Sequence, residues 1–455
     1  MTDKNEPHGI AFGEAVRVWL RIALLSFGGP AGQIAVMHRI LVDEKKWIGE
    51  ERFLHALNFC MLLPGPEAQQ LAIYIGWLLH RVKGGLVAGT LFVLPGAIAI
   101  MALSWIYVLV GNAAPVAALL FGLKAAVVAI VFQAVVRIGS RALGHPAKFA
   151  IAGLAFLALF FLHIPFPIVI LAAGLIGFAA WQAGVPGFSG GGGHGNARPG
   201  TTSDAESALG TDIPVHARAG FGRIALVAAA LATAWLIPVI MLLIFAPANS
   251  AFRQIAIFFS QMAMLTFGGA YAVLAWVGQA AVETYHWLSP REMLDGLGLA
   301  ESTPGPLIMV TQYVGFLGAY RHPGTLSPLL AGTLGGLLTT WVTFAPCFLW
   351  IFLGAPFVER LRENRALAAA LAAITAAVVG VILNLGLWFA LHFWFGHIED
   401  IVTGPVHLPV PDPATIDLVA IALSAAAMVA ILRFKFNVFA ILGACATLGL
   451  LFKLL

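Results

Sequence analysis

Apolar residues in this chain fall into long blocks separated by short polar runs, and thirteen blocks approach the length of a helical membrane crossing. They cover 12–37, 51–80, 84–110, 113–141, 147–163, 166–183, 222–246, 252–278, 293–320, 326–354, 366–395, 417–432 and 436–454. The pattern predicts an all-α, polytopic membrane protein of about 13 transmembrane helices. The two segments meeting at His163-Ile164-Pro165-Phe166-Pro167 are short for a bilayer that needs about 20 helical residues, and are expected to form a tilted pair. Segments 51–80 and 293–320 are each cut by Pro-Gly-Pro.

One stretch occurs twice. Ser26-Phe27-Gly28-Gly29 returns as Thr266-Phe267-Gly268-Gly269, Trp47 as Trp287, and Pro64-Gly65-Pro66 as Pro304-Gly305-Pro306, all 240 residues apart. Further on the spacing becomes 251, where Pro95 matches Pro346 and Ala125-Ala126-Val127-Val128 matches Ala376-Ala377-Val378-Val379. A register held over some forty residues marks a duplicated unit. The expected organisation is a tail (1–11), a first repeat (12–183), a flexible Gly- and Ser-rich linker (184–221), a connecting transmembrane helix (222–246) and a second repeat (252–455). His194 and His216 in the linker are read as incidental rather than metal ligands.

Matched spans are numbers one and eight; seven apart is odd, so the halves are expected in inverted topology, a common plan of secondary transporters. Basic residues of short loops stay cytoplasmic. With the N-terminus inside, Arg81, Lys83, Arg137, Arg141, Lys148, Arg198, Arg218, Arg223, Arg360, Arg362, Arg365, Arg433 and Lys435 fall inside. The loop with Arg39, Lys45, Lys46 and Arg52 falls outside. It is read as an exception, in preference to a re-entrant 51–80 segment.

Composition narrows the class. Hydrophobic residues make up 60% and charged residues 10%, with a mean hydropathy of +0.92; a soluble globule carries about 25% charge. The net charge of +4 is too small, and too scattered over short loops, to suggest a nucleic-acid partner, and fits cytoplasmic basic loops instead. Cys60, Cys347 and Cys445 lie in apolar segments and suggest neither disulfide nor zinc site. The polar opening runs into the first long segment without a small-residue cleavage site, so that segment is expected to be retained.

The motifs suggest a chemistry. Pro-Gly-Pro breaks a helix, and in hydrocarbon the freed backbone groups survive only when buried in protein or lining a polar cavity. A half-helix starting at Pro66 or Pro306 would aim N–H groups and a partial positive charge inward, a site for an anion. Phe27-Gly28-Gly29-Pro30 and Phe267-Gly268-Gly269 give further breaks, with the hydroxyls of Ser26 and Thr266 as added donors. The competing reading is kinks and close-packing glycines; Gly89 serves as a packing glycine expected to tolerate change better than Gly65 or Gly305. Lys124 lies inside a span, where it either faces the anion or snorkels. Glu67 and Glu301, beside the two Pro-Gly-Pro motifs, are candidates for proton coupling, although Glu67 also suits the first turn of a helix. Arg17 and Arg21, four residues apart, could funnel anions from the cytoplasmic side, but as a pair near a helix end they are read as an interfacial anchor.

These motifs, with Gly84-Gly85 through Pro95-Gly96 and their second-half forms, resemble the chromate ion transporter family in its long, two-domain type. Two departures weaken strict equivalence of the halves: Ala270 replaces Pro30, and Met61 stands where a polar residue is expected before Pro-Gly-Pro. The resemblance implies export of chromate from a bacterial cytoplasm across the inner membrane, giving chromate resistance, with sulfate or another tetrahedral oxyanion as the alternative substrate and a homodimer left open. Substrate-binding residues would then be Ser26, Phe27, Gly28, Gly29, Pro64, Gly65, Pro66, Lys124, Thr266, Phe267, Gly268, Gly269, Pro304, Gly305 and Pro306. No cofactor, metal or catalytic residue is expected. A membrane enzyme on a lipid-linked substrate would need acidic pairs or metal-spaced histidines, which the sequence lacks, and a passive channel is the third class.

Overall fold

The structure, a computed structural model, describes residues 8–188, 202–210, 221–267, 269–355 and 364–454. His194, His216, Gly268, Arg198, Arg218, Arg360 and Arg362 lie outside them. In chain order the helices are α1 (Phe12–Leu25), α2 (Gly29–His38), α3 (Glu50–Cys60), α4 (Glu67–Val110), α5 (Ala114–Ala142), α6 (Pro146–Phe160), α7 (Phe166–Gln182) and α8 (Phe221–Phe245). They continue as α9 (Ala251–Leu265), α10 (Ala270–Gln279), α11 (Pro290–Glu301), α12 (Val310–Arg321), α13 (Pro328–Gly354), α14 (Arg365–Trp394), α15 (Leu418–Leu432) and α16 (Val438–Leu454). Five of the described helices, α4, α5, α8, α13 and α14, are long and apolar enough to cross a membrane. The chain is an α-helical, multi-pass membrane protein.

One addition to the all-α expectation is a hairpin of β1 (Ile398–Thr403) and β2 (Val406–Pro411), antiparallel, in the acidic loop after α14. Ile401, Val402, Val406 and Leu408 are its β-forming residues, and Gly404, at φ +61°, makes the tight turn. Hydrophobic blocks could not reveal it, because its residues are mixed and exposed.

The described residues form two compact units, each drawing on both sequence repeats. Unit 1 lies within Met1–Met101, Gly192–Gly269 and Thr303–Glu363; unit 2 lies within Ala102–Gly191, Ala270–Ser302 and Asn364–Leu455.

In unit 1 the expected span 12–37 is two helices. α1 buries Ala15, Val18, Trp19, Ile22 and Ala23, one face at helical spacing. It ends at Ser26, and the left-handed Gly28, at φ +78°, starts α2 in a new direction. The chain then returns: Lys45 Nζ is 2.8 Å from Glu14 Oε1, and Arg21 is 2.8 Å from Glu44 Oε2. Residues 12–45 are therefore a helical hairpin with its tip at Ser26–Gly28.

The span 51–80 is likewise α3 and the first part of α4, divided at Pro-Gly-Pro. His38 pairs with Glu50 where the first hairpin meets the second. The helical run of α4 breaks at His80 and Arg81, and this break returns to the chain start, the His80 ring reaching the Ile10 carbonyl at 3.0 Å. The thirteen-block count sets the loop with Arg39, Lys45, Lys46 and Arg52 a full span away from Glu14; its ion pairs place it beside α1 instead. The first hairpin brings it back.

Within the expected flexible linker, residues 202–210 instead dock on the Trp47 loop. Glu50 N donates to Thr202 O at 3.0 Å, Ala208 N to Lys46 O at 2.9 Å, and Leu209 N to Trp47 O at 3.1 Å. Thr202 Oγ1 also donates to Val42 O and Arg52 N to Asp204 Oδ1; composition missed the docking because it does not encode which residues pair.

The repeats agree in backbone detail. Short π-helices, Arg39–Glu44 and Ala280–Thr284, precede Trp47 and Trp287. The matched residues Lys46 and His286 take φ of 52° and 53°. Further along, α4 and its counterpart α13 pack antiparallel in unit 1. Gly85 faces the Phe352 ring, Gly89 the Phe348 ring, and Gly336 the Met101 methyl. Under the 251-residue match Gly85 corresponds to Gly336 and Met101 to Phe352, so the first and third contacts are one contact seen from either repeat.

In unit 2, α5 packs on α14, α15 and α16, and α14 on α6 and α7. Small residues permit the approach: a Cβ added at Gly122 would strike the Cys445 carbonyl. Helix starts carry caps, with Ser289 and Glu292 forming a capping box before α11 and the Asp417 carboxylate accepting from Ala420 N at 2.9 Å before α15.

Candidate functional site

Unit 1 gathers the turns at Ser26–Gly29, at Thr266 and Phe267, and at Pro64–Pro66 and Pro304–Pro306. Helix α1 ends at Ser26 with φ −82° and ψ 87°, and α9 at Thr266 with φ −77° and ψ 89°. Phe27 N and Phe267 N each donate to the carbonyl two residues back, at 3.1 Å. Gly65 and Gly305 stand at φ +126° and +105°, angles that a side chain resists.

These turns bond across the repeats. Gly65 N donates to Thr266 O and Gly305 N to Ser26 O, both at 2.8 Å. Ser26 matches Thr266 and Gly65 matches Gly305, so the two bonds form an isologous exchange, the signature of a local two-fold. A second exchange follows it. A Cβ on Gly65 would meet Cys347 Sγ at 2.9 Å, and one on Gly305 would meet Gly96 Cα at 3.0 Å; Cys347 is the match of Gly96.

The geometry alters two expectations. Ser26 and Thr266 hydroxyls donate to Ile22 O and Met262 O, each at 2.7 Å, and so are committed to their own helices. The Gly65 and Gly305 amides are committed as well. What these turns still offer a ligand is the first turns of α4 and of 307–321, whose leading N–H groups lack intrahelical partners. Glu67 occupies the first turn of α4 and is half-buried.

Three glutamines escaped the sequence reading. Gln33 Nε2 donates to Gly305 O, and Gln70 Nε2 to Pro64 O at 2.7 Å. Gln69, Gln70 and Gln33 are buried, and the Gln33 and Gln70 Oε1 atoms and both amide atoms of Gln69 lack a protein partner among the described residues. Their signal was an amide inside an apolar block close to each motif. The repeat comparison hid it, because Gln33 is matched by Val273.

Lys124 and Glu301 belong to unit 2. Lys124 Nζ lies 2.8 Å from Asp295 Oδ1, and Tyr107 donates to Asp295 Oδ2 at 3.1 Å. Lys124 therefore neither snorkels nor presents a free charge in this conformation. Glu301 accepts from the Tyr271 hydroxyl. Among the described residues no three His, Cys, Asp or Glu side chains group as a metal site.

Duplicated turns that bond through a two-fold exchange, in a chain of apolar helices, fit a mainly α-helical membrane transporter. The sequence matches the chromate transporter family over residues 13–178 and 253–450, and the chain belongs to that family. It is 31% identical over 389 residues to the chromate transport protein of Pseudomonas aeruginosa, covering 84% of this chain and 82% of that one. It is 27% identical over 370 residues to the chromate transport protein of Cupriavidus metallidurans, covering 81% and 80%. A probable chromate transport protein of Synechococcus elongatus is 25% identical over 429 residues, covering 90% and 94%. No solved structure matches the chain.

Proposed function

We propose that this protein exports chromate from the cytoplasm across the bacterial plasma membrane and so confers chromate resistance. The observation that carries this reading is the reciprocal bonding of Gly65 to Thr266 and Gly305 to Ser26, which joins the duplicated motifs as an inverted-repeat transporter joins its halves at the substrate site. The substrate itself comes from the relatives named above. An inside-negative potential drives each charge outward with about 2.3 kcal/mol per 100 mV, so a dianion leaves with roughly twice that and needs no ATP.

The same reading fixes a topology. The antiparallel packing of α4 on its counterpart α13 supports inverted halves. The hairpins 12–45 and 50–80 each enter and leave by one face, and their second-half counterparts do the same from the other. Nine crossings then remain among the described residues: α4 beyond Arg81, α5, α6, α7, α8, α13, α14, α15 and α16. This replaces the thirteen-span count. It also places Arg39, Lys45, Lys46, Arg52, Arg81, Lys83, Arg137, Arg141, Lys148, Arg365, Arg433 and Lys435 inside, and leaves Arg253, Arg291, Arg321 and Lys453 outside.

The oxyanion is received where the four turns meet, facing the first turns of α4 and of 307–321, with Gln33, Gln69 and Gln70 as amide contacts. Glu67 and Glu301 are the proton-coupling candidates. The test is flux from everted or reconstituted vesicles under an imposed potential and an imposed pH gradient, chromate against sulfate. Chromate efflux that follows the potential supports the reading. Sulfate moving in preference selects the sulfate transporter, and flux that neither saturates nor concentrates selects a channel.

A further inference from the structure

Unit 2 holds a cavity of about 350 Å³ beside the start of α5, within the size range of small-ligand pockets. Phe121 and Phe393 supply apolar wall, and Lys124, Arg291, Lys453 and Asp417 the charge. Lys124 is the deepest of the two lysines, 13% exposed against 49% for Lys453. Cations outnumber carboxylates three to one in this lining; even with Asp295 behind Lys124, positive charge is in excess.

The cations differ in how firmly they are held. Lys124 is paired closely with Asp295. Lys453 Nζ is 3.8 Å from Asp417 and lies 4.4 Å from the Phe121 ring centroid, a loose ion pair and a cation–π contact. Arg291 Nε meets a neutral group, the His392 carbonyl, at 3.4 Å. Guanidinium and ammonium groups converging on a partly apolar cavity match an anion whose oxygens accept several donors at once.

We propose that this cavity binds a tetrahedral oxyanion, with Arg291 and Lys453 as its outer donors and Lys124 as its inner one. The identity of the anion as the transported substrate rests on the transporter reading above. On the topology proposed there, the start of α5, Phe393, Asp417 and Lys453 face outward, so the site lies on the exit side. An arriving oxyanion shares Lys124 with Asp295, while Tyr107 keeps a hydrogen bond on the Asp295 carboxylate. An exit-side site of net positive charge would hold an outgoing dianion briefly, its three cations outweighing the Asp417 and Asp295 carboxylates.

The test uses the full chain in outward-facing vesicles, with Ala117→Cys as reporter, since Ala117 lines the cavity and the native cysteines are buried. An anionic methanethiosulfonate should modify this cysteine roughly tenfold faster than a cationic analogue, the low end of electrostatic steering into a charged cleft. Sulfate, a probe that does not oxidise thiols, should slow the reaction more than chloride at equal ionic strength. Arg291→Gln with Lys453→Gln should remove both the preference and the protection. Equal rates for the two reagents, no reaction with either, or equal protection by chloride overturns the proposal. Chromate flux in the same vesicles tests the transporter reading separately: flux with no sulfate protection rejects this site and leaves that reading intact.

Discussion

The Gly65 amide donates to the Thr266 carbonyl at 2.8 Å, and the matched Gly305 amide to the Ser26 carbonyl at the same distance. Each repeat thereby completes the other's interrupted helix. The carbonyls that end α1 and α9 are buried, where an unpaired polar group costs several kcal/mol, and the partner arrives from the opposite Pro-Gly-Pro turn. Any movement of one repeat against the other must break or stretch this joint. Its two bonds, worth about 0.5–1.5 kcal/mol each in net terms, are small enough for a transport cycle to exchange.

The carbonyls, not the hydroxyls, do the joining, so Ser26→Ala and Thr266→Val should be mild. Each loses one hydrogen bond to its own helix, at Ile22 and Met262, at a cost of about 1 kcal/mol. Chromate efflux should stay within about threefold of the parent, since a single neutral bond of that size is worth less than a factor of ten. Loss of transport at normal expression would return the hydroxyls to the substrate site.

Lys124→Ala should destabilise the protein by about 3–5 kcal/mol, because it strands the buried Asp295 carboxylate. The paired variant Lys124→Met with Asp295→Leu should recover most of that loss, and thermal unfolding in detergent reads the difference. Recovery of folding without recovery of flux assigns the pair a transport role. If the single variant melts like the parent, the ion pair is not the reason the lysine tolerates its buried position.

The duplication, the helix interruptions and the apolar class were legible in the sequence because glycine and proline positions encode backbone angles, and a repeated register doubles the signal. The direction of the chain after each interruption was not. Whether Phe-Gly-Gly kinks a span or folds it back depends on contacts such as Lys45 to Glu14, between residues whose pairing no periodicity reveals. The sequence reading weighed a re-entrant 51–80 segment and kept the basic loop as an exception; on the proposed topology the Phe-Gly-Gly segment also folds back, and the loop needs no exception. Asp295 stayed hidden for a related reason: neither it nor Lys124 has a charged counterpart in the other repeat, where Thr375 and His55 stand.

The hairpin topology predicts sidedness. Gly13→Cys, at the start of α1, and Lys46→Cys, after the returning π-helix, should label from the same face of the membrane. A thirteen-span chain puts them on opposite faces. His286→Cys, the match of Lys46 and likewise exposed, should label from the face opposite Lys46→Cys. Labelling of Lys46 and His286 from one face removes the inversion, whereas Gly13 and Lys46 on opposite faces removes the hairpin.

The glycines at the joint give the sharpest expectation. An alanine at Gly65 takes a backbone angle that L-residues avoid, at about 1–3 kcal/mol, and its Cβ meets Gln70 Nε2 at 2.8 Å and Cys347 Sγ at 2.9 Å. At Gly305 the obstacle is the Gly96 backbone, Cα at 3.0 Å, which cannot swing aside as a side chain can. Gly65→Leu and Gly305→Leu should each abolish chromate efflux from inserted protein, because either change alone opens a shared joint. Gly89 is not the mild comparison that its place in a helix suggests, since its Cβ would strike Ile73 and reach within 2.7 Å of the Phe348 ring. Gly153→Ala in α6, with nothing within 4 Å, is the appropriate control and should transport normally. Two independent sites would leave about half the flux in each single variant, as expected when two equal paths act in parallel. Parental flux in both would reduce the Pro-Gly-Pro turns to kinks and move the substrate site elsewhere.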